Sequence, residues 1–394
     1  MKRMRIFIAG FCLTLLVACN SSDDNLRTTG TGSGTPEIRM TAPLDDEIRD
    51  VLENLDPIFR LTRKSEWSNE RNNWINELLL IDVITGDIVA THEVEVGYSF
   101  FEPIDLGNGY YIIEMASRDD ESLEYMIVIL DAMLNIVDTV FYDIDLVSPL
   151  HVGFFKFTEG ELIAYALEMW DEVPVGNLNP VAFNLHTGEI EILAEVDEFI
   201  SNMHRFVGEN QIFTTQLITL WDQGRITTSY GIIDIETGET HFFEKEDFGY
   251  GNIDFHSKRV LMSERHSMGP ALINEVLIFE IETMTSTSVI LEDEESHWAR
   301  FSYDGNHIMT INEEASVLRK YDFNGVIIAE IEVEIPSVVT GSEDYANDPN
   351  AYFWQTFEII PLAENVYVIF TISTFGIPMG IEISEYFSQI IVLP

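Results

Sequence analysis

Four short stretches carry the side chains best suited to chemistry: "LHVGFF" from Leu150, "MHRFV" from Met203, "HWARFS" from His297 and "FWQTFE" from Phe353. Each opens an apolar run, and together they offer His151, His204, Arg205, Trp298, Arg300 and Trp354. Imidazoles exchange protons near neutral pH. Guanidiniums fork onto carboxylates and other acidic groups, and indoles stack on sugars or anchor protein contacts. Trp67, Trp170 and Trp221 extend the aromatic set, with Trp74 nearby. The plainer use of the same residues is structural: tryptophans packed between sheets, and arginines paired with neighbouring carboxylates.

Other chemistries lack their residues. The nine histidines show no H-E-x-x-H or H-x-H spacing, and no D-x-[DN]-x-[DN]-G loop is present for calcium, so no metal site is expected. The acidic stretches 117–122, 291–296 and 341–350 read as solvated charge, with a hard cation as the alternative. No G-x-S-x-G elbow marks a nucleophile, and no cofactor is expected. The insertion from Ile335 to Trp354 is the loop that departs most from the surrounding pattern.

The charge balance excludes a further class. The chain of 394 residues holds 68 Asp and Glu against 21 Lys and Arg, a net of −47. Phosphate backbones bind clustered cations that release counterions, so nucleic acid is not an expected partner. The acidity fits either a solvated surface suited to a salty medium or a field that draws in a cationic partner. With 46% hydrophobic residues, the chain can still bury a large core.

The first residues read as an address. Lys2, Arg3 and Arg5 precede an uncharged apolar run, Ile6 to Ala18, too short for a lasting membrane span. Residues 16–19, Leu-Val-Ala-Cys, resemble the lipobox of bacterial lipoproteins. The resemblance implies a signal peptide over 1–18, acylation of Cys19, and a lipid anchor in the cell envelope. With Asn20 after the cysteine, it implies the outer membrane if the host has two. Losing Lys2, Arg3 and Arg5 takes the basic count from 21 to 18 and the net to −50. Residues 19–36 then form a small, polar tether of roughly 20 to 25 Å reach. Cys12 leaves with the leader and Cys19 carries lipid, so no disulfide is available.

The elements that must position the candidate residues are strands. Beyond residue 37, short β-branched and aromatic runs alternate with Gly, Asn and Asp turns, as in "IIDIETGETHFF" from Ile232. The turn recurs at Asp82, Asp131, Asn184, Asp234, Glu280 and Asp322, spaced by 42 to 53 residues. In it an Asp or Asn side chain accepts from amides two residues on, and Gly supplies positive φ for a tight hairpin. Such a period, with about four strands per unit, marks the blades of a β-propeller. "FSYDGNHIMTI" resembles the S-x-D-G-x repeat of TolB-like propellers, and "DIETGE" the turn of quinoprotein-like ones. Trp170-Asp171 and Trp221-Asp222 end second strands, unlike the dipeptide of WD repeats.

The predicted fold is therefore all-β: one propeller over 37–394, with blades near 45–94, 95–145, 146–198, 199–247, 248–294, 295–334 and 353–394. Six or eight blades are the alternatives. The last blade lacks a strand, and "EIRMTAP" from Glu37 is expected to supply it and close the ring, since an unpaired edge is costly. Two functions fit. One is a lipid-anchored, monomeric envelope module that binds a protein or glycan through a face bearing Trp67, Trp170, Trp221, Trp298 and Trp354. The other is an envelope enzyme, a lyase, glycosidase or quinoprotein-like catalyst, around His151, His204, Arg205 and Arg300. Fold does not choose between them.

Overall fold

A computed structural model describes residues 37–40, 52, 55, 57–68, 73–94, 98–100, 103–106, 109–117, 125–142, 150–168, 179–195, 202–220, 225–246, 248, 250–264, 275–292, 297–312, 316–334, 352–377 and 381–393. The leader, Cys19 and the tether lie outside these residues, as do Trp170, Trp221 and most of the 335–354 insertion.

The described chain is all strand and turn, apart from helical backbone at Leu52. After β1 (Glu37–Met40), the first sheet holds β2 (Phe59–Ser68), β3 (Asn73–Asp82) and β4 (Ile88–Val94). The second holds β5 (Tyr98–Phe100) and β6 (Ile104–Asp105), which share the edge of β7 (Tyr111–Ser117), then β8 (Tyr125–Leu130) and β9 (Ile136–Tyr142). The third runs through β10 (Leu150–Thr158), β11 (Glu161–Glu168), β12 (Pro180–Asn184) and β13 (Ile190–Ile192). The fourth has β14 (Asn202–Phe206), β15 (Gln211–Leu220), β16 (Arg225–Asp234) and β17 (Thr240–Glu246). The fifth has β18 (Tyr250–His256), β19 (Arg259–Glu264), β20 (Glu275–Glu280) and β21 (Thr285–Ile290). The sixth has β22 (His297–Phe301), β23 (Ile308–Asn312), β24 (Val317–Tyr321) and β25 (Ile327–Glu332). The seventh orders β26 (Tyr352–Ala363), β27 (Val366–Ile377) and β28 (Ile381–Val392), with β1 outermost.

Seven apolar clusters join these seven sheets in sequence. Leu80 and Ile113 bridge the first and second sheets, Ile129 and Phe183 the second and third, and Leu167 and Ile233 the third and fourth. Phe213 and Phe279 bridge fourth to fifth, Leu261 and Tyr321 fifth to sixth, Met309 and Ile369 sixth to seventh. The seventh cluster packs Ile81 and Val83 against Ile360 and Val368, returning from the last sheet to the first. The ring is closed, and the fold is a seven-bladed β-propeller.

Burial explains the strand patterns. Middle strands are sandwiched between two neighbouring sheets, so both faces must be apolar: β8 reads YMIVIL and β20 reads EVLIFE, each with five of six residues buried. Outer strands face a neighbour on one side only, and β25, IIAEIE, alternates strictly. Each buried Leu, Ile or Phe contributes about 1.5–3 kcal/mol, and no single sheet can bury both of its faces alone.

The recurring turn joins third to fourth strands, as its chemistry predicts. Asp82 Oδ1 accepts from Ile84 N at 2.9 Å, Asp234 Oδ1 from Glu236 N at 3.1 Å, and Asp322 Oδ1 from Asn324 N at 2.9 Å. Gly238 follows at φ 73°; in the two degenerate copies Leu134 and Met284 adopt 59° and 51°. Those non-glycine residues bear the strain that glycine avoids elsewhere.

The last blade is completed by the N-terminal strand, as expected, but in parallel: Glu37 lies opposite Phe387 and Met40 opposite Ile390. The first blade departs from four strands. Its turn sits between β3 and β4, so β2 occupies the place of a second strand, and no first strand is present among the described residues. Leu52 and Leu55, within the 45–94 span expected to hold the first blade, pack on the cluster that closes the ring.

Candidate functional site: the inner-strand belt

The first strands of the third to sixth sheets share two features. Each carries a β-bulge, with register shifts between Val152 and Phe154, Met203 and Arg205, Tyr250 and Asn252, and His297 and Arg300. Gly153, His204, Gly251 and the pair Trp298-Ala299 are the inserted residues. A bulge bends a strand and re-aims the side chain it carries. The repetition puts the distortion at one level in four successive sheets. At Gly153 the backbones press together: a Cβ there would lie 2.4 Å from the Met203 carbonyl oxygen.

The second feature is a charged residue followed by an aromatic one: Lys156-Phe157, Arg205-Phe206, Asp254-Phe255 and Arg300-Phe301. Each charge reaches the next sheet. Lys156 Nζ lies 5.7 Å from the Phe206 ring centroid, and the Arg205 guanidinium carbon 5.0 Å from that of Phe255. Asp254 Oδ2 accepts from Phe301 N at 2.8 Å. Around that bond, alternate residues of β18 grip the backbone of the sixth sheet: Asn252 donates to Ala299 O at 3.1 Å, and His256 Nε2 donates to Tyr303 O at 3.0 Å.

The chain of contacts continues past the sixth sheet. Arg300 Nη1 is 3.5 Å from Glu358 Oε1 on β26. Arg60 on β2 binds the same carboxylate in a fork, Nε to Oε2 and Nη2 to Oε1, both at 2.6 Å. Burial works against the Arg60 charge, but the hydrogen bonds and field of Glu358, with help from Asp105, raise its pKa overall. Burial pushes the Asp254 carboxyl up, offset in part by Phe301 N and the Arg300 charge. Signs therefore alternate across five sheets: Asp254, Arg300, Glu358, Arg60, Asp105.

The sequence-derived candidates fall into this frame unevenly. His204 is brought to the belt at its bulge, where Nε2 meets Thr215 Oγ1 at 2.8 Å and the ring lies 5.8 Å from that of Phe213. Burial drops its pKa to about 4, so it is neutral at physiological pH and a weak base. Arg205 stacks on Phe255 and donates to Phe206 O at 3.3 Å. Arg300 serves Glu358 rather than an open acidic subsite. His151 lies opposite Leu167 in β10, and Trp354 opposite Thr374 in β26; their side chains, with those of Trp67 and Trp298, are outside the described set.

Strand placement does gather the four tryptophans among the described residues at one end. Trp67 faces Trp74 across the β2–β3 ladder, beside the connection of second to third strand. Trp170 and Trp221 lie outside the described residues. Trp298 and Trp354 lie near the starts of the first strands β22 and β26. In an antiparallel sheet those positions share one end, and the Asp-x-x-Thr-Gly turns occupy the other. Among the described residues, no group of three or more His, Cys, Asp or Glu is placed to hold a metal ion.

Sequence reasoning missed Arg60, Glu358, Asp254 and Asn252. A signal for part of the belt was present: charged–aromatic pairs at 156, 205, 254 and 300, spaced as the blades are.

No protein-family model and no curated protein matches the chain. Among solved structures it is similar to Kluyveromyces lactis Hsv2, at 10% identity over 84% of this chain and 97% of that one, TM-score 0.43. It is also similar to TolB from Acinetobacter baumannii, at 12% identity over 74% and 93%, TM-score 0.32. A third similarity is to the β-propeller domain of the Trilobed protease from Pyrococcus furiosus, at 12% identity over 82% and 90%, TM-score 0.41.

Proposed function

We propose that the chain is a binding module of a bacterial cell envelope, held to a membrane by lipid on Cys19, that engages a protein or glycan through its tryptophan-bearing end. The observation that supports this reading most is the position of Trp67, Trp74, Trp298 and Trp354 in their strands, near the end of the sheets where inter-sheet connections fall; in the sequence, Trp170 and Trp221 come shortly after second strands. Aromatic clusters at loop-rich ends supply rigid contact area at low entropic cost. The leader and lipobox-like residues 16–19 support the anchored location.

The enzymatic reading draws less support. His204, Arg205 and Arg300, its three described candidates, each hold a structural partner. A pKa near 4 suits His204 poorly to proton transfer at neutral pH.

The test is crosslinking capture from native envelope with the full chain and with Trp170→Ala/Trp221→Ala. Capture is expected to fall at least tenfold at unchanged melting temperature. Equal capture by both proteins would reject the tryptophan end as the binding surface. Cys19→Ser should move the protein from the membrane to the soluble fraction.

A further inference from the structure

In a chain with 68 Asp and Glu, a basic side chain is expected to sit beside a carboxylate. Arg60, Lys245, Lys258, Arg259, Arg300 and Arg319 do so, and Lys320 donates to the amide oxygen of Asn365 at 2.8 Å. Lys156 and Arg205 differ: among the described residues, neither is joined to a carboxylate.

Their charges are held by rings instead. Lys156 Nζ, from the third sheet, lies 5.7 Å from the ring centroid of Phe206, and the Arg205 guanidinium carbon 5.0 Å from that of Phe255. Arg205 Nε also donates to Phe206 O at 3.3 Å, so the two cations flank one residue. The rings are locked in place. Phe206 meets Phe154 and Tyr165 edge-on at 5.5 and 4.9 Å, and Phe255 meets Phe213 edge-on at 5.7 Å. An aromatic face seats a cation without neutralising it. Asp254, beside Phe255, is otherwise engaged: it accepts from Phe301 N at 2.8 Å and feels the charge of Arg300.

Both side chains are exposed, although β10 and β14 are the innermost strands of their sheets. They lie close to the C-terminal ends of those strands. That places them at the mouth of the ring's axial space away from Trp298 and Trp354, which lie near the starts of first strands. Arg205 uses only Nε in its hydrogen bond, which leaves the N–H groups on both Nη atoms to face a ligand, beside the Lys156 ammonium.

We infer that Lys156 and Arg205 bind the phosphate group of a small soluble ligand at this mouth. Two cations match a dianion, the ammonium as a point charge and the Nη groups as donors to separate tetrahedral oxygens. A carboxylate carries one charge and is satisfied by a single fork. A polyanion or an anionic bilayer would bring its remaining charges against the chain's net of −47, which favours a compact ligand. The site goes beyond the reading of the tryptophan-bearing end and does not depend on it.

The probe is glycerol 3-phosphate, titrated against the full chain by calorimetry, with acetate and chloride as comparisons at one ionic strength. Acetylation of Lys156 by acetic anhydride, followed by mass spectrometry, gives a second reading on the unaltered protein. Glycerol 3-phosphate should bind at least tenfold more tightly than acetate and slow acetylation of Lys156 at least threefold, leaving that of Lys258 unchanged. Lys156→Gln/Arg205→Gln should lose the binding at unchanged melting temperature, and Arg205→Lys, which keeps the charge without the fork, should weaken it. Capture of a partner through the tryptophan end should be the same in the double variant, so the two readings fail separately.

Equal binding of acetate, or equal protection of Lys156 by chloride, would reduce the site to a patch that takes any anion and overturn the inference. Unprotected Lys156, or undiminished binding in the double variant, would overturn it as well. Vesicles containing phosphatidic acid that compete at equal phosphate concentration would assign the site to a lipid headgroup, which also rejects a small soluble ligand.

Discussion

Arg60 and Glu358 are 298 residues apart and joined by two hydrogen bonds of 2.6 Å, one from each side of the guanidinium fork. The pair spans the seam between the first and last sheets. Arg300 approaches the same carboxylate from the sixth sheet, so one glutamate links three blades where the ring closes.

Removing that glutamate should open the seam. Glu358→Ala leaves two guanidiniums without their shared partner and is expected to cost about 1–3 kcal/mol, below the value for a fully buried pair because the side chains are partly exposed. Glu358→Gln, which keeps an acceptor, should cost less. Urea midpoints of the two variants give the comparison, and equal midpoints to the parent would show the fork to be without consequence.

His204 gives stability a pH dependence of known sign. Its folded pKa, about 4, lies below the ordinary histidine value of 6.5 because burial disfavours the charged ring. Between those values the unfolded chain binds more protons, so this contribution is complete above about pH 6.5 and is lost as pH falls towards 4. The loss is at most about 3 kcal/mol. The stability difference between the parent and His204→Gln, followed from pH 7.5 to 4, should shrink over that window; a constant difference would refute the assignment.

Two glycines of the same turn separate strain from collision. Gly188 (φ 74°) and Gly325 (φ 83°) both have left-handed backbone, but a Cβ on Gly188 meets nothing within 4 Å, whereas one on Gly325 would sit 1.9 Å from Ile290 O. Gly188→Ala should cost about 1 kcal/mol, the backbone term alone. Gly325→Ala should cost clearly more, since the neighbouring sheet must also move. Thermal melts of the two variants decide the matter, and equal costs would mean that the fifth and sixth sheets yield freely.

What could be seen in the sequence was what is local. The Asp-x-x-Thr-Gly turns announce themselves because their hydrogen bonds span two to four residues, and their spacing gave seven blades and a last blade short of one strand. The partner of β28 was inferred from that shortage, but its parallel direction was not, since four residues of Glu-Ile-Arg-Met carry no sign of direction. The first blade misled because four strands were laid over 45–94 by analogy with the other units, whereas Leu52 and Leu55 in that span serve as apolar packing.

The belt was half visible for the same reason. His204, Arg205 and Arg300 stood out as scarce residue types, yet their partners Thr215, Phe255 and Glu358 are ordinary residues of abundant type. Only the closed ring brings Glu358 to Arg60, and nothing in the chemistry of one of 68 acidic residues marks it out.

The pairing of β1 with β28 also sets a timetable. Glu37 is made, or exported, 350 residues ahead of Phe387, its neighbour in the finished ladder, so the chain must be almost complete before its earliest strand finds a place. Until then neither that ladder nor the cluster joining the first and last sheets can form, and the unpaired edge and apolar faces left open are the kind of surface that chaperones and proteases engage.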